Sequence, residues 1–303
     1  MDRSKESLAD EIAKLKKEKN AVILVHNYQR LEVQGVADFI GDSLGLAKQA
    51  AETDADIIVF CGVSFMAETA KILSPQKKVL LPVKEATCPM ADMITADELL
   101  ALKEKYPDAM VVCYVNTNAD VKAVSDVCCT SANAVKVVKN IDDRIIFVPD
   151  RNLAAFCQRF TSKEIIPWDG YCYVHEKFSR DEVVRAKSAF PDAPLVVHPE
   201  CTPDVIDEAD EVLSTSGMVR FARETDAEVV LIGTEEGLIQ RLNKEFPQKR
   251  FYSAGTPKIC HNMKLTTLED VYNALEYERF EVELPQEIMD RSKVALERML
   301  QYV

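Results

Sequence analysis

The sequence has little that would direct it to a membrane, to nucleic acid or to disorder. Glycine is scarce, with 9 residues in 303, and proline contributes 13. With 47% apolar residues, this composition excludes a low-complexity or disordered chain. No apolar run approaches the ~18 residues of a membrane-spanning helix. Lys and Arg number 37 against 50 Asp and Glu, and the net charge of −13 repels phosphate backbones. We therefore expect a globular protein that binds neither nucleic acid nor a membrane.

Cysteine, in contrast, is abundant. The chain has nine cysteines, and its first twenty residues form a charged helical pattern without the apolar segment of a signal peptide. We therefore expect a cytoplasmic protein with reduced thiols. In such a protein many cysteines point to metal binding or catalysis rather than to disulfides. A single free cysteine is nevertheless more often a small buried hydrophobe.

Short apolar runs alternate with amphipathic helical stretches, which is typical of parallel sheets covered by helices on both faces. Polar strand ends recur at intervals of 90 and 82 residues, from His26 to Asn116 to His198. No flexible linker separates the sets. The pattern predicts an α/β protein of three pseudo-symmetric three-layer αβα domains, each with a small parallel sheet, around a central site. The expected domains are residues 1–88, joined by C-terminal helices in 264–303, then 89–172 and 173–263.

The expected strands fall into three sets, and two helices should follow the last set. We expect the final helix to pack beside the N-terminal helix. The strands are predicted at 21–28, 56–62 and 77–82, at 109–116, 144–150 and 164–170, and at 194–201, 211–215, 227–233 and 250–255.

The first strand of each set ends in polar side chains. Ligands of α/β sheets bind beyond the carboxyl ends of the strands, so a site would be built there. A single histidine at a strand end is usually a packing residue, but three polar ends are harder to explain in that way. These residues are His26 with Tyr28, Tyr114 with Asn116, and His198 with Glu200.

About sixteen residues after each of these ends comes a hydroxyl residue that is expected to open a helix: Ser43, Ser131 and Ser214 with Thr215. The default role of each is that of an N-cap. A helix N-terminus also carries free N–H groups and positive partial charge, so it binds carboxylate or phosphate. Three converging N-termini would form an anion-binding chamber inside an acidic protein.

Each set is followed by a cysteine, at intervals of 84 and 88 residues: Cys88, Cys172 and Cys260. The local C-x₂-C or H-x₃-H spacing of structural zinc is absent. Three isolated thiolates can hold three corners of a [4Fe–4S] cluster, whose fourth iron would be open to act as a Lewis acid. A three-cysteine zinc site and three buried thiols remain alternatives. The other six cysteines lack this spacing.

Taken together, these residues resemble the quinolinate synthases of NAD biosynthesis. The resemblance covers nearly the whole chain, with the motifs in order. They are HNYQ at 26–29, GDS at 41–43, CPMADM at 88–93, YVNT at 114–117, TSAN at 130–133, GYCYVH at 170–175, HPEC at 198–201, STSGM at 214–218 and C-x-x-M at 260–263.

The resemblance implies a [4Fe–4S] cluster on Cys88, Cys172 and Cys260. It also implies a transferase that condenses iminosuccinate with dihydroxyacetone phosphate to quinolinate, phosphate and two waters. Functional coupling to an L-aspartate-oxidising enzyme, the source of iminosuccinate, is a further implication. The implied catalytic residues are His26, Tyr28, His175, His198 and Glu200; the implied substrate-binding residues are His26, Ser43, Tyr114, Asn116, Ser131, His198, Glu200 and Thr215.

The chain departs from the family pattern at Met263, where some members have a second cysteine, so redox control through that thiol is not expected here. Two other classes of function stay open. One is another cluster-dependent hydro-lyase that acts on a small hydroxy acid. The other is a non-catalytic iron–sulfur or dicarboxylate sensor, which ranks lowest because no basic recognition helix is visible.

Overall fold

In the computed structural model, which describes residues 5–302, twelve strands form three four-stranded sheets, and all their pairings are parallel. The expected architecture of three α/β units is confirmed. The predicted domain boundaries stay a prediction; the strands of the three sheets fall inside them, at 21–80, 109–167 and 195–253. Residues 1–4 and 303, which the predicted first domain includes, lie outside the described residues.

The first sheet has the strand order β2-β1-β3-β4. β1 and β3 are apolar and almost wholly buried, as expected for a parallel sheet covered on both faces. The elements of this unit are α1 (Lys5–Glu18), β1 (Ala21–His26), α2 (Leu31–Gln34), β2 (Phe39–Gly41), α3 (Ser43–Glu52), β3 (Ile57–Cys61), α4 (Ser64–Leu73) and β4 (Lys78–Leu80).

The second and third sheets repeat this order as β6-β5-β7-β8 and β10-β9-β11-β12. The second unit contains α5 (Ala96–Lys105), β5 (Ala109–Tyr114), α6 (Ala119–Ala123), β6 (Val127–Cys129), α7 (Ala134–Lys139), β7 (Arg144–Val148), α8 (Arg151–Gln158) and β8 (Ile165–Pro167). The third contains α9 (Arg180–Ala189), β9 (Leu195–Val197), α10 (Pro203–Ile206), β10 (Glu211–Val212), α11 (Thr215–Glu224), β11 (Val229–Gly233), α12 (Glu236–Glu245) and β12 (Arg250–Ser253).

One side-chain contact recurs in all three units, at the start of the edge strand that follows the central strand in sequence, which is β2, β6 or β10. An aspartate just before the edge strand accepts a hydrogen bond from a central-strand N–H fifteen residues earlier, at 2.7–2.8 Å. The recurrence shows that the same local signal sets the same topology three times. The pairs are Asp38 with Ile23, Asp126 with Val111, and Asp210 with Leu195.

Two helices follow the third sheet, α13 (Leu268–Tyr277) and α14 (Gln286–Leu300). The expectation that the last helix packs beside the first is wrong, because α13 takes that place and shares one apolar cluster with α1. α14 lies instead on α6, β6 and α4. α6 has only five residues, and Ser292 of α14 donates to the Ala119 carbonyl of α6 at 2.7 Å. α14 thus covers a region that a short α6 leaves open.

The sequence did not predict β2 and β6, which have three residues each and are too short to show a period. In residues 5–302 we find no helix with the length and apolar character needed to cross a bilayer.

Candidate functional site

The carboxyl ends of the three central strands meet at one cavity. β1 ends at His26, β5 at Tyr114, and β9 is followed by His198. All residues expected in the site line this cavity except His175, which lies fully buried behind the wall. The lining set is His26, Tyr28, Ser43, Cys88, Tyr114, Asn116, Ser131, Cys172, His198, Glu200, Thr215 and Cys260.

Strand register explains why each hydroxyl residue lies beside a strand end. The last residue of each central strand pairs with an edge-strand residue that precedes the hydroxyl residue by two or three positions. A parallel ladder therefore brings both polar groups to the same edge of the sheet. The pairs are His26 with Gly41 before Ser43, Tyr114 with Cys129 before Ser131, and Val197 with Val212 before Thr215.

The helix caps differ from expectation in two of the three units. Asp42, not Ser43, caps α3 with its side chain, and Asn133 rather than Ser131 is the N-cap residue of α7. Ser214 caps α11 as expected. Ser43 and Ser131 line the cavity, and their hydroxyls are not used for capping. The Ser43 hydroxyl is therefore available to a ligand, whereas the Ser131 hydroxyl already contacts His198.

Glu200 is the centre of a buried polar network and is 3% exposed. Tyr114 Oη donates to Glu200 Oε1 at 2.5 Å, and His175 Nδ1 lies 2.7 Å from Oε2. The His198 ring stacks on His175 with centroids 4.5 Å apart. Burial opposes ionisation of Glu200, but the imidazoles of His198 and His175 and the hydrogen bonds outweigh it and hold its pKa below the ordinary value. Glu200 is therefore held as an anion at neutral pH.

Thr234, which no sequence pattern singled out, connects Tyr28 to this network. Its Oγ1 lies 2.6 Å from Tyr28 Oη and 2.9 Å from His175 Nε2, and the residue is fully buried. A path of close polar contacts thus runs from Tyr28 through Thr234 and His175 to Glu200. Its last step, from His175 Nδ1 to Glu200 Oε2, is a close approach of 2.7 Å without hydrogen-bond geometry. The one signal that could have found Thr234 is its position directly after the predicted strand that ends at Gly233.

The two imidazoles that line the cavity, those of His26 and His198, are neutral at physiological pH. Burial lowers the pKa of His26 to about 4 and that of His198 to about 3. His26 packs edge-on against Tyr28 with centroids 4.7 Å apart, and His198 Nε2 lies 3.2 Å from Ser131 Oγ. Burial and Glu200 raise the pKa of Tyr28. Neutral imidazoles and protonated phenols beside one carboxylate suit proton transfer.

In the described part of the chain, the wall of this cavity contains no lysine and no arginine. The positive partial charge expected here from helix N-termini is thus not supplemented by cationic side chains in the wall. The nearby cations are committed elsewhere: Lys264 Nζ lies 3.0 Å from Glu235 Oε1, and Arg241 Nε lies 2.6 Å from Glu245 Oε1. Anions in this cavity would be bound by neutral donors.

Asn116 adds a sign that the cavity is shaped for a ligand. Its side-chain oxygen is buried and has no hydrogen-bond partner within residues 5–302. An unpaired buried acceptor costs free energy that a bound donor would recover. Asn116 is therefore a candidate ligand contact on structural grounds as well as by sequence pattern.

The three cysteines reach the cavity from equivalent loops. In each loop a backbone N–H three residues later forms a hydrogen bond to the sulfur, and a 3₁₀ turn begins at that residue. Seven residues after each cysteine, a capping box opens the next helix. The N–H donors are Ala91 for Cys88, His175 for Cys172 and Met263 for Cys260, and the capping boxes begin at Thr95, Ser179 and Thr267.

Burial raises the pKa of all three thiols, that of Cys88 to about 12. They are protonated unless a metal displaces the proton. Among the described residues, the group whose donor atoms all lie within 4.8 Å of one another is Cys172, His175 and Glu200, so this part of the site is a candidate metal site. Cys88 and Cys260 line the same cavity but lie outside that tight group.

The remaining six cysteines are buried, and all nine are free of disulfides. Their spacing had marked them as different from the three in the cavity. The six are Cys61, Cys113, Cys128, Cys129, Cys157 and Cys201.

Three α/β units share one cavity that contains an acid–base network and a candidate metal site. This arrangement is typical of an enzyme. The chain matches the family model described as "Quinolinate synthetase A protein" over residues 10–301, and it belongs to that family of enzymes. It is 53% identical over 294 residues to the quinolinate synthase of Methanoregula boonei, with 97% of each chain covered. The quinolinate synthases of Alkaliphilus metalliredigens and Pyrococcus horikoshii are each 52% identical over 297 residues, covering 97% of this chain and 98% of theirs. The resemblance inferred from the motifs is confirmed.

Proposed function

We propose that this chain is an enzyme that condenses iminosuccinate with dihydroxyacetone phosphate to give quinolinate, phosphate and two waters. The reaction balances without an oxidant or reductant. The observation that carries the proposal is the family match over residues 10–301, together with one cavity that collects the expected polar residues from all three units. The product would enter NAD biosynthesis.

The chain's own chemistry in this reaction is proton transfer. Forming a pyridine ring requires removal of protons from carbon, imine closure and two dehydrations, all of which need a base and an acid within reach. The proposed proton-transfer groups are the His198 and Glu200 pair and the Tyr28 phenol, which all face the cavity. Tyr28 is connected to Glu200 through Thr234 and His175. Tyr114, which donates to Glu200, faces the cavity from the second unit.

Substrate anions would be held by neutral donors from all three units. Ser43, Ser131 and Thr215 present hydroxyls from the edge-strand side of the cavity, and His26 and His198 present imidazoles from the central strands. Asn116 contributes its unpaired amide oxygen, which would accept a hydrogen bond from a substrate N–H or O–H. A cavity without lysine or arginine favours positioning through hydrogen bonds over strong ion pairing.

We propose that Cys88, Cys172 and Cys260 hold a [4Fe–4S] cluster. Two observations support this ligand set: each unit supplies one cysteine from the same kind of loop, and the three cysteines extend beyond the tight donor group that suits a single ion. The N–H donors stabilise the thiolate forms that iron–sulfur clusters require. When bound, the cluster would supply an iron without a protein ligand as a Lewis acid.

Two features of the biological setting belong to the same proposal. Iminosuccinate is expected from an L-aspartate-oxidising enzyme with which this chain would be functionally coupled. We also propose that the protein works in the cytoplasm, because nine unpaired cysteines suit a reducing compartment.

The test uses protein purified and loaded with iron and sulfide without oxygen. Wild type should form quinolinate and release one phosphate per turnover from the two substrates. Tyr28→Phe and Glu200→Gln should retain the visible chromophore but lose turnover by at least ~10²-fold, the range for loss of a general acid or base. Near-normal rates in both variants would contradict the assigned roles.

The cluster ligands are tested separately by metal content. Cys88→Ala should lose the brown chromophore and most bound iron, whereas Cys61→Ala, which removes a buried thiol that does not line the cavity, should keep both. A colourless wild type after loading would refute the cluster, and equal iron in the two variants would refute the ligand assignment.

A further inference from the structure

An open cleft adjoins the first cavity and shares Asp42 and Ser131 with it. We call it the vestibule. Its wall is formed by α3, by α11 and by the residues that lead into α7, and it contains two basic side chains, Lys48 and Arg220. The vestibule thus lies on the side of the inner cavity from which Ser43, Ser131 and Thr215 project.

The two cations of the vestibule are not neutralised. Lys48 is half-buried, Arg220 is exposed, and neither forms an ion pair within residues 5–302. The acid in the described part of this wall is Asp42, which is 8% exposed. Its carboxylate already accepts from the Gly45 N–H at 2.9 Å and from Ser214 Oγ at 3.2 Å. The positive charge of Lys48 and Arg220 is therefore directed toward solvent and toward any anion in the vestibule.

Lys48 and Arg220 occupy equivalent positions in two of the three units. Each is the sixth residue of its helix, in α3 and in α11, and lies five residues after the hydroxyl residue Ser43 or Thr215. Lys136 stands five residues after Ser131 in the remaining unit. In two of the three units the fold thus places a basic side chain at the same helix position behind the hydroxyl residue of the inner cavity.

From this geometry we infer that the vestibule binds small polyanions and delivers them to the inner cavity, with Lys48 and Arg220 as the binding residues. The inference rests on the proposed function, in which both substrates are anionic. The protein carries a net charge of −13, and the inner wall has no lysine or arginine, so small anions meet a repulsive far field. Local cations at the mouth of a cleft reverse that field and raise the local anion concentration.

The perturbation is the double variant Lys48→Gln, Arg220→Gln. The matched control is Arg223→Gln, Lys244→Gln, which removes the same two charges at exposed positions on α11 and α12 outside the vestibule. At an ionic strength of ~0.01 M the Debye length is ~30 Å, so charges within the vestibule are little screened. Under these conditions the first variant should bind inorganic phosphate about five- to tenfold more weakly than the control. Its kcat/KM for dihydroxyacetone phosphate should fall by about the same factor, with kcat unchanged. At ~1 M salt the difference should vanish.

Equal phosphate affinity in the two double variants at low salt would overturn the inference, as would a difference that survives at ~1 M salt. The phosphate titration needs no turnover, so it decides the role of the vestibule even if the wild type forms no quinolinate. A wild type without activity but with normal phosphate binding would contradict the proposed function alone.

Discussion

The shortest contacts between Tyr28 and His175 run through one hydroxyl group, so Thr234→Val is the most specific perturbation of the path. The Thr234 oxygen lies 2.6 Å from Tyr28 Oη and 2.9 Å from His175 Nε2. Valine keeps the shape of threonine but removes this hydrogen-bond partner from both groups. An unsatisfied buried polar group costs about 1–3 kcal/mol. Because the two orphaned groups are already 3.4 Å apart, they can partly recover by approaching one another. We expect kcat to fall about 10- to 100-fold, corresponding to ~1.4 kcal/mol per factor of ten.

The assay is quinolinate formation under saturating substrates, with iron content measured on the same samples. Thr234→Ser is the matched control, because it keeps the hydroxyl and loses only a methyl group; it should stay within about threefold of wild type, since a small cavity costs little here. Turnover by Thr234→Val at the wild-type rate, or equal losses in the valine and serine variants, would refute the path. If the valine variant also loses iron, its lower kcat would reflect a disturbed fold and not the loss of the hydroxyl from the path.

Two further predictions concern stability. Burial lowers the pKa of His26 from 6.5 to about 4. Between these two pH values the His26 imidazole is protonated in the unfolded chain but neutral in the folded chain. The free energy of unfolding should therefore fall by about 2 kcal/mol from this group between about pH 7 and pH 5, and denaturant titrations of His26→Gln should show a correspondingly smaller fall. A Cβ at Gly170 would lie 2.4 Å from the Pro149 carbonyl oxygen, so Gly170→Ala should lose about 1–3 kcal/mol and some bound iron. Gly45→Ala, whose Cβ meets only an ordinary contact at 3.4 Å, should lose neither, and equal losses in the two alanine variants would contradict the steric reason.

The sequence was sufficient to predict the elements whose local signal is strong. The central strands are buried on both faces and read as continuous apolar runs, and their polar ends lie at one edge because the sheets are parallel. The cysteine spacing matches the length of the repeated unit, so the sequence alone predicts that Cys88, Cys172 and Cys260 lie at one cavity. The roles of these residues stay predictions.

The misses share a different cause, since each depends on contacts between distant segments. Edge strands of three residues, such as Phe39–Gly41, are defined by pairing with a central strand rather than by their own composition. Thr234 is meaningful only because Tyr28 comes to it from the first unit and His175 from a loop 59 residues earlier in the chain. The place of α14 was likewise set by the short helix that it covers, which no local pattern reports.

The position of α13 has a consequence for the order of events during synthesis. One face of the first sheet is covered jointly by α1, α2 and α13, and α13 ends at Tyr277, whereas the sheet itself is complete at Leu80. At ~5–20 residues per second, the ribosome needs about 10–40 s to add the intervening stretch. During that interval apolar side chains such as Val25 and Val59 lack their cover. The first sheet is thus completed early in synthesis but gains its full cover only after α13 has been added.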